Sequence, residues 1–240
     1  MIKNKGKNKK KKNTRKNGKM TEAQKRERIL KRMKTGLFVL IILFFALCVI
    51  KRINPSLLTR RYFELDGEEI DASKPEIDVE LLTVNPYSRP GIKTGKIKGI
   101  VIYYTANPGS TAMENRNYFE GLKDSHTTKT SSNFIVGLDG EIVQCVPTWE
   151  VAYASNDRNK DTVSIECCHP DESGKFNDET YRSAVKLSAW LCLKFGLNEK
   201  DVIRHYDVTG KNCPKYFVEN EGAWEEFRAD VKDALSKDQK

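Results

Sequence analysis

The first strong pattern along the chain is an uncharged run from Thr35 to Ile50, reading TGLFVLIILFFALCVI. Apolar residues fall on every side of a helix drawn through it, so no face is kept for water. Lys34 precedes the run and Lys51-Arg52 follow it. Sixteen residues are slightly short for a bilayer, which takes about 17–25, but flanking lysines extend the reach by snorkelling. The pattern predicts one transmembrane helix over 35–50. A cleavable signal peptide fits less well, because the charged region before the run is too long and no small-x-small site follows. Residues 51–86 mix charged and short apolar stretches and read as a stalk, with one short strand or helix near Val79–Leu82. Pro86, Pro90 and Gly91 then mark a turn-rich entry to a domain over 87–236.

Within that domain the periodicity alternates between strand and helix. Gly99–Tyr104 (GIVIYY) is a continuous β-favouring run and predicts a buried strand. Thr111–Lys123 predicts a helix with Met113, Tyr118, Phe119 and Leu122 as its apolar positions. Asn133–Leu138 and Glu141–Val146 flank Asp139-Gly140, a hairpin signal. Asp161–Cys168 carries another strand. Asn177 can cap a helix over Asp178–Phe195 that stops at Gly196, burying Tyr181, Val185, Ser188, Leu191 and Phe195. Val202-Ile203 is a short strand. Trp224, Phe227, Val231 and Leu235 recur at helical spacing in a last helix from about Glu221. Strands and helices interleave, so the expected class is α/β, a mixed central sheet flanked by helices on both faces, after one transmembrane helix.

Charge changes the picture at the N-terminus. The chain has 240 residues and a net charge of +9. Residues 1–34 hold 16 Lys/Arg against Glu22 and Glu27, a balance of +14, so the remainder carries −5. A tail this polar buries no core, and 1–34 is expected to be a disordered basic segment. Its excess of positive charge places it in the cytoplasm and the domain outside. Next to an apolar run the basic tail reads as a topology signal touching anionic lipid, and a net acidic domain argues against nucleic acid as a partner.

Candidate chemistry centres on Arg204-His205-Tyr206-Asp207-Val208-Thr209-Gly210-Lys211-Asn212-Cys213-Pro214. His205 follows a strand, and the residues after it look like loop. A strand-end histidine and a loop cysteine can converge on one metal ion, with zinc the natural choice for imidazole and thiolate; a satisfied histidine and a buried free thiol are the alternative. Glu166 sits between Ile165 and Cys167 in the Asp161–Cys168 strand, where a carboxylate lies either on a wet face or in a site. Cys167, Cys168 and His169 follow it, but alternation along a strand sends neighbouring side chains to opposite faces, which favours structural roles. Cys145 and Cys192 read as core residues, and His126 as a surface residue.

Four segments occur in order: Gly99-Ile-Val-Ile-Tyr-Tyr-Thr-Ala-Asn-Pro-Gly109, Asn133-Phe-Ile-Val-Gly-Leu-Asp-Gly140, Ser164-Ile-Glu166 and the Arg204–Pro214 stretch. Together they resemble the type 2 N-acetylmuramoyl-L-alanine amidases, relatives of the peptidoglycan recognition proteins and amidase-type phage lysozymes. The resemblance covers the whole domain. It implies one zinc held by two histidines and a cysteine or aspartate, and cleavage of the amide between the lactyl group of muramic acid and L-alanine. By that resemblance His205 and Cys213 are metal ligands, Glu166 is the general base and Lys211 a catalytic lysine. The family's first-strand pattern of three apolar residues, then His-Tyr-Thr, reads here Ile100-Val101-Ile102-Tyr103-Tyr104-Thr105, so Tyr103 stands where the first ligand belongs. Asn133 holds a position often taken by histidine, and neither His126 nor His169 aligns with the missing ligand. Three states are open for Tyr103: a phenolate ligand, a ring that leaves a weak or empty two-ligand site, or a site completed by water. The expected whole is a monomeric, membrane-anchored, zinc-dependent peptidoglycan amidase outside the cell membrane. The rival is a peptidoglycan-binding module that has lost catalysis.

Overall fold

The computed structural model describes residues 20–53, 61–65 and 69–237, without the side chains of Leu47, Val49, Ile50 and residues 51–53. The chain divides into two compact units, Met1–Arg60 and Arg61–Lys240.

In the first unit, α1 runs over Glu22–Ile53. Thr21 opens it through a reciprocal cap: the Gln24 N–H donates to Thr21 Oγ1 at 3.3 Å, and the Thr21 N–H donates to Gln24 Oε1 at 3.0 Å. Helix-favouring Glu, Ala, Gln, Lys, Arg and Leu follow. The disorder expected through residue 34 therefore does not hold for 22–34; the charged residues there are good helix formers with a cap ahead of them. The part of that expectation over 1–19 lies outside the described residues. Among the described residues no helix is long and apolar enough to cross a membrane, and the side chains at positions 47, 49 and 50 of the apolar run lie outside the description.

The second unit is built on a six-stranded sheet. Its strands are β1 (Asp78–Val79), β2 (Gly99–Tyr104), β3 (Phe134–Val136), β4 (Ile142–Gln144), β5 (Thr162–Cys167) and β6 (Val202–Arg204). They lie in the order β1-β4-β3-β5-β2-β6. Only the hairpin pair β3/β4 is antiparallel. Gly140 turns the hairpin at φ +81°, a conformation glycine adopts without strain. The mixed sheet agrees with the pattern read from the sequence.

Helices lie on both faces. On one, α3 (Asp178–Phe195) and α6 (Glu221–Lys237) bury Tyr181, Val185, Phe227 and Val231 against Ile100, Ile102, Phe134, Val136, Val163 and Ile165. Asn177 caps α3 by accepting from the Thr180 N–H at 2.8 Å, and Gly196 ends it at φ 67°. On the other face α2 (Ala112–Ser125), capped by a Thr111–Glu114 box, packs Phe119 and Leu122 on Ile135, Val143 and Cys145. Met113 and Tyr118, expected inward, are 41% and 55% exposed, and Ala112 is buried instead. The stripe of α2 is thus rotated from the one its largest apolar residues suggest. Two short helices go unforeseen: α4 (His205–Thr209) and α5 (Lys215–Glu219).

The expected stalk is corrected from Arg61 onward. Phe63 is 1% exposed and stacks on Tyr181 with ring centroids 3.8 Å apart. The Tyr62 and Phe63 N–H groups donate to the Glu226 carboxylate, and Arg61 pairs with Asp230 at 2.7 Å. Ile70, Ala72 and Leu82 are buried, and β1 adds an edge to the sheet. The domain therefore begins at 61 and not at 87. Apolar residues scattered singly among charges make no periodic pattern, yet each fills a place in a core made by distant elements. Residues 54–60 of the stalk lie outside the described residues.

Candidate active site

Alternation along the central strands makes the site. Ile100 and Ile102 face α3 and α6; Val101 and Tyr103 face the other way. Tyr103 is level with Glu166 of β5 in the parallel register, and Glu166 with Ile135 of β3. The helix α2 covers this face only over β3 and β4. Over β5, β2 and β6 the cover comes from the loop returning after α4, whose Cys213 packs with Val101 and Tyr103, alongside Ile203, Ala154 and Val208.

His205 comes directly after β6, as its sequence position suggested, but it opens α4 and not a loop. Asp207 caps that turn, accepting from the Arg204 N–H at 2.8 Å. Gly210, at φ 74°, lets the chain reverse. The Tyr206 N–H then donates to the Cys213 carbonyl at 2.8 Å, which sets Cys213 beside His205. The His205 ring lies 4.6 Å from the Tyr103 ring, centroid to centroid, tilted by 41°. The Tyr103 hydroxyl is hydrogen-bonded to Ser155 Oγ at 2.5 Å. Four of the five expected residues, Tyr103, Glu166, His205 and Cys213, therefore come together on this face of the sheet; Lys211, exposed, contributes its charge to the other groups there.

Burial governs the electrostatics. Glu166 keeps some exposure as a residue, but its Oε2 is buried and has no partner. Loss of water pushes its carboxyl up to about 8, against the pull of the Lys211 ammonium. Burial, reinforced by Glu166, pushes the Cys213 thiol up to about 12, opposed by a backbone hydrogen bond from Tyr104 and by Lys211. The Tyr103 phenol is raised above its ordinary value, first by burial and then, against its Ser155 hydrogen bond, by Glu166 and Cys213. His205 is lowered by burial and then by Lys211. Its Nδ1 is buried and unpartnered, as is Thr105 Oγ1 next to the end of β2.

The sequence of residues 93–216 matches the family profile described as N-acetylmuramoyl-L-alanine amidase (Amidase_2). This chain belongs to that family. Among curated relatives it is 37% identical over 166 residues to a probable N-acetylmuramoyl-L-alanine amidase of Bacillus licheniformis, covering 64% of this chain and 46% of the relative. It is 36% identical over 164 residues to N-acetylmuramoyl-L-alanine amidase CwlL of the same organism, covering 63% and 45%. The chain thus spans about half the length of the curated relatives it matches. The amidase fold is shared with the solved structure of PlyL, at TM-score 0.57 and 25% identity over 67% of this chain and 99% of that one. The catalytic domain of XlyA aligns at TM-score 0.54 and 25% identity, covering 65% and 99%.

Zinc is the metal of this amidase family in general. Two side chains here suit it: His205, with its buried unpartnered Nδ1, and Cys213. The third does not. The Tyr103 hydroxyl is engaged with Ser155 Oγ, and a phenol held protonated is a poor donor to a cation. Among the described residues no group of three or more His, Cys, Asp or Glu is placed to hold a metal ion. A working zinc centre normally has three protein ligands and an open position; this donor set is one short, and the residues do not fit it.

Asn133 is no substitute. It is 1% exposed, and its amide donates to the carbonyls of Val146, Pro147 and Glu150 while accepting from the Ser164 N–H at 3.0 Å. It ties β3 to β5 and to the following loop. His169 is held apart from these: its Nδ1 lies 2.8 Å from the Asp171 carbonyl and its ring beside Tyr104, with Nε2 buried and unpartnered. His126 is the left-handed C-cap of α2 and stacks on Tyr87 at 4.4 Å. Sequence reasoning missed Ser155, which carries no motif and reaches Tyr103 only through the turn before β5. Thr105 follows from the period of two, which puts it on the same face as Val101 and Tyr103.

Proposed function

We propose that this chain acts on peptidoglycan at the bond between muramic acid and L-alanine, as an N-acetylmuramoyl-L-alanine amidase. Glu166 carries the reading: a carboxyl with one buried, unpartnered oxygen and an affinity for protons near neutrality, level with Tyr103, which packs against His205 and Cys213. The carboxylate form of a group tuned to about 8 is the minor form at neutral pH and grows as pH rises; that form can take a proton from water and return it to a leaving amine. The Lys211 ammonium supplies positive charge for the oxyanion that forms as the amide carbon becomes tetrahedral. The test is release of new L-alanine amino termini from purified peptidoglycan. Glu166→Gln should lower it about 10²–10⁴-fold; an unchanged rate would remove Glu166 from the reaction.

One observation favours a second reading, a module that binds peptidoglycan without cutting it: the Tyr103–Ser155 hydrogen bond at the position the family gives to a ligand. Retention on insoluble peptidoglycan with no release of L-alanine termini would select it.

The chain is further proposed to be anchored in the cell membrane through 35–50, with the basic N-terminus inside and the domain outside. What supports this is the composition of the run and the exposure of its side chains: Leu37, Phe38, Leu40, Phe44 and Phe45 are each more than 60% exposed on α1. The Lys/Arg excess before the run sets the direction. Protease added to intact protoplasts should remove the domain; protection there, with loss in permeabilised cells, would reverse the topology.

A further inference from the structure

We infer that in this chain recognition of the muramoyl peptide is uncoupled from metal binding, because Tyr103 closes the third ligand position while leaving the amide-facing groups in place. The inference rests on the function proposed above and deepens it.

The geometry has two halves. In the first, the Tyr103 ring packs with Val101 and Cys213 and lies 4.6 Å from the His205 ring. Its hydroxyl is turned to Ser155, and Ser155 is itself fixed: it accepts from Thr162 Oγ1 at 3.3 Å, and its N–H donates to Asn159 Oδ1. Turning the hydroxyl towards a cation between His205 and Cys213 would break a buried hydrogen bond and unseat the ring. The space a third donor needs is filled by packed carbon. In the second half, the groups that meet a secondary amide need no metal. A bound amide presents one carbonyl oxygen and one N–H. Glu166 Oε2 is buried and free to accept. The Lys211 ammonium can donate to the carbonyl. Thr105 Oγ1 is a further unpartnered group close by along the strand. None of these touches the two zinc-type donors through a hydrogen bond, so loading or stripping a cation leaves them where they are.

Two consequences follow. Zinc binds weakly to the parent chain, since loss of a single supporting partner already costs about 10–100-fold in affinity and loss of a ligand costs more. Muropeptide affinity is the same with and without zinc.

The test uses the full chain, with zinc and a soluble N-acetylmuramoyl-L-alanyl peptide as separate probes in calorimetry, and three sequences: parent, Tyr103→His and Tyr103→Phe. The fold of each is checked by circular dichroism. The expected result is equal, weak zinc binding by parent and Tyr103→Phe, zinc affinity about 100-fold or more higher in Tyr103→His, and peptide affinity of the parent unchanged by a chelator. Tight zinc binding by the parent that is lost in Tyr103→Phe makes the phenol a ligand and overturns the inference. Peptide affinity that falls on chelation overturns it too, while leaving the proposed function intact. Should Tyr103→His misfold, the parent and Tyr103→Phe still decide, because only a hydroxyl ligand separates them. A folded parent that binds no peptide in either condition overturns both the inference and the function on which it rests.

Discussion

The two faces of the central sheet are made by the same strands one residue out of step, and they differ in kind. On the α3/α6 face, Ile100, Ile102, Phe134, Val163 and Ile165 are each 0% exposed among aliphatic and aromatic neighbours. On the other face, Tyr103, Ser164 and Glu166 put hydroxyls and a carboxyl into the interior beside Val101. Alternation alone separates a layer that holds the protein together from a layer that can do chemistry. The first gains from every methylene it buries; on the second, Tyr103 and Ser164 are paired within the protein while Glu166 Oε2, whose burial is unfavourable, is left without a partner.

Substitutions can break this contrast, and the largest effect belongs to the apolar face. Phe134→Ala should cost about 3–5 kcal/mol, read as a lower denaturation midpoint with peptide affinity preserved in the folded fraction. A loss under about 1 kcal/mol would mean that α3 and α6 collapse into the space.

Next comes Glu166→Gln, which should stabilise, with a pH signature. The carboxyl titrates near 4.5 when unfolded and about 8 when folded. Below 4.5 it is protonated in both states and makes no difference. Between 4.5 and 8 only the unfolded chain ionises, so the parent loses stability as pH rises; above 8 both states are ionised and the loss stops growing. The glutamine protein should therefore match the parent at pH 4 and exceed it at pH 8 by on the order of a few kcal/mol. Thermal denaturation across that range checks it, and a gap independent of pH would refute the buried titration.

A smaller effect is expected from Tyr103→Phe. It removes one buried hydrogen bond while keeping the ring, and should cost about 1 kcal/mol in urea denaturation. The smallest belongs to Arg61→Ala. Arg61 is 41% exposed, and Asp230 keeps the Tyr181 hydroxyl at 2.8 Å. The change should lie within about 1 kcal/mol, measured the same way.

The contrast also explains what could be read in the sequence. The β2, β5 and α3 boundaries followed from continuous β-favouring runs and from Asn177 and Gly196, signals confined to neighbouring residues. The Asp139-Gly140 hairpin was legible for the same reason. Phe63, Ile70 and Leu82 were not, since each is buried by partners far along the chain. At the site, Glu166, His205, Lys211 and Cys213 stood in recognisable segments. The partner of Tyr103 did not: Ser155 reaches it through a turn of five residues, Asn156–Lys160, that no motif marks. The length of α2 was legible and its rotation was not, because Met113 and Tyr118 are apolar by type but exposed by position.

The Phe63 strap has a mechanical meaning. A pull applied to the chain at Arg61 enters the domain through the Phe63–Tyr181 stack and the Arg61–Asp230 pair. The load passes into α3 and α6, long helices seated on the apolar face. Phe63 also meets Tyr216 and Phe217 edge-on, at 6.1 and 6.0 Å, in the short helix that follows Cys213. Tension along the N-terminal segment is thus shared between the face built for cohesion and the short helix that leads away from Cys213.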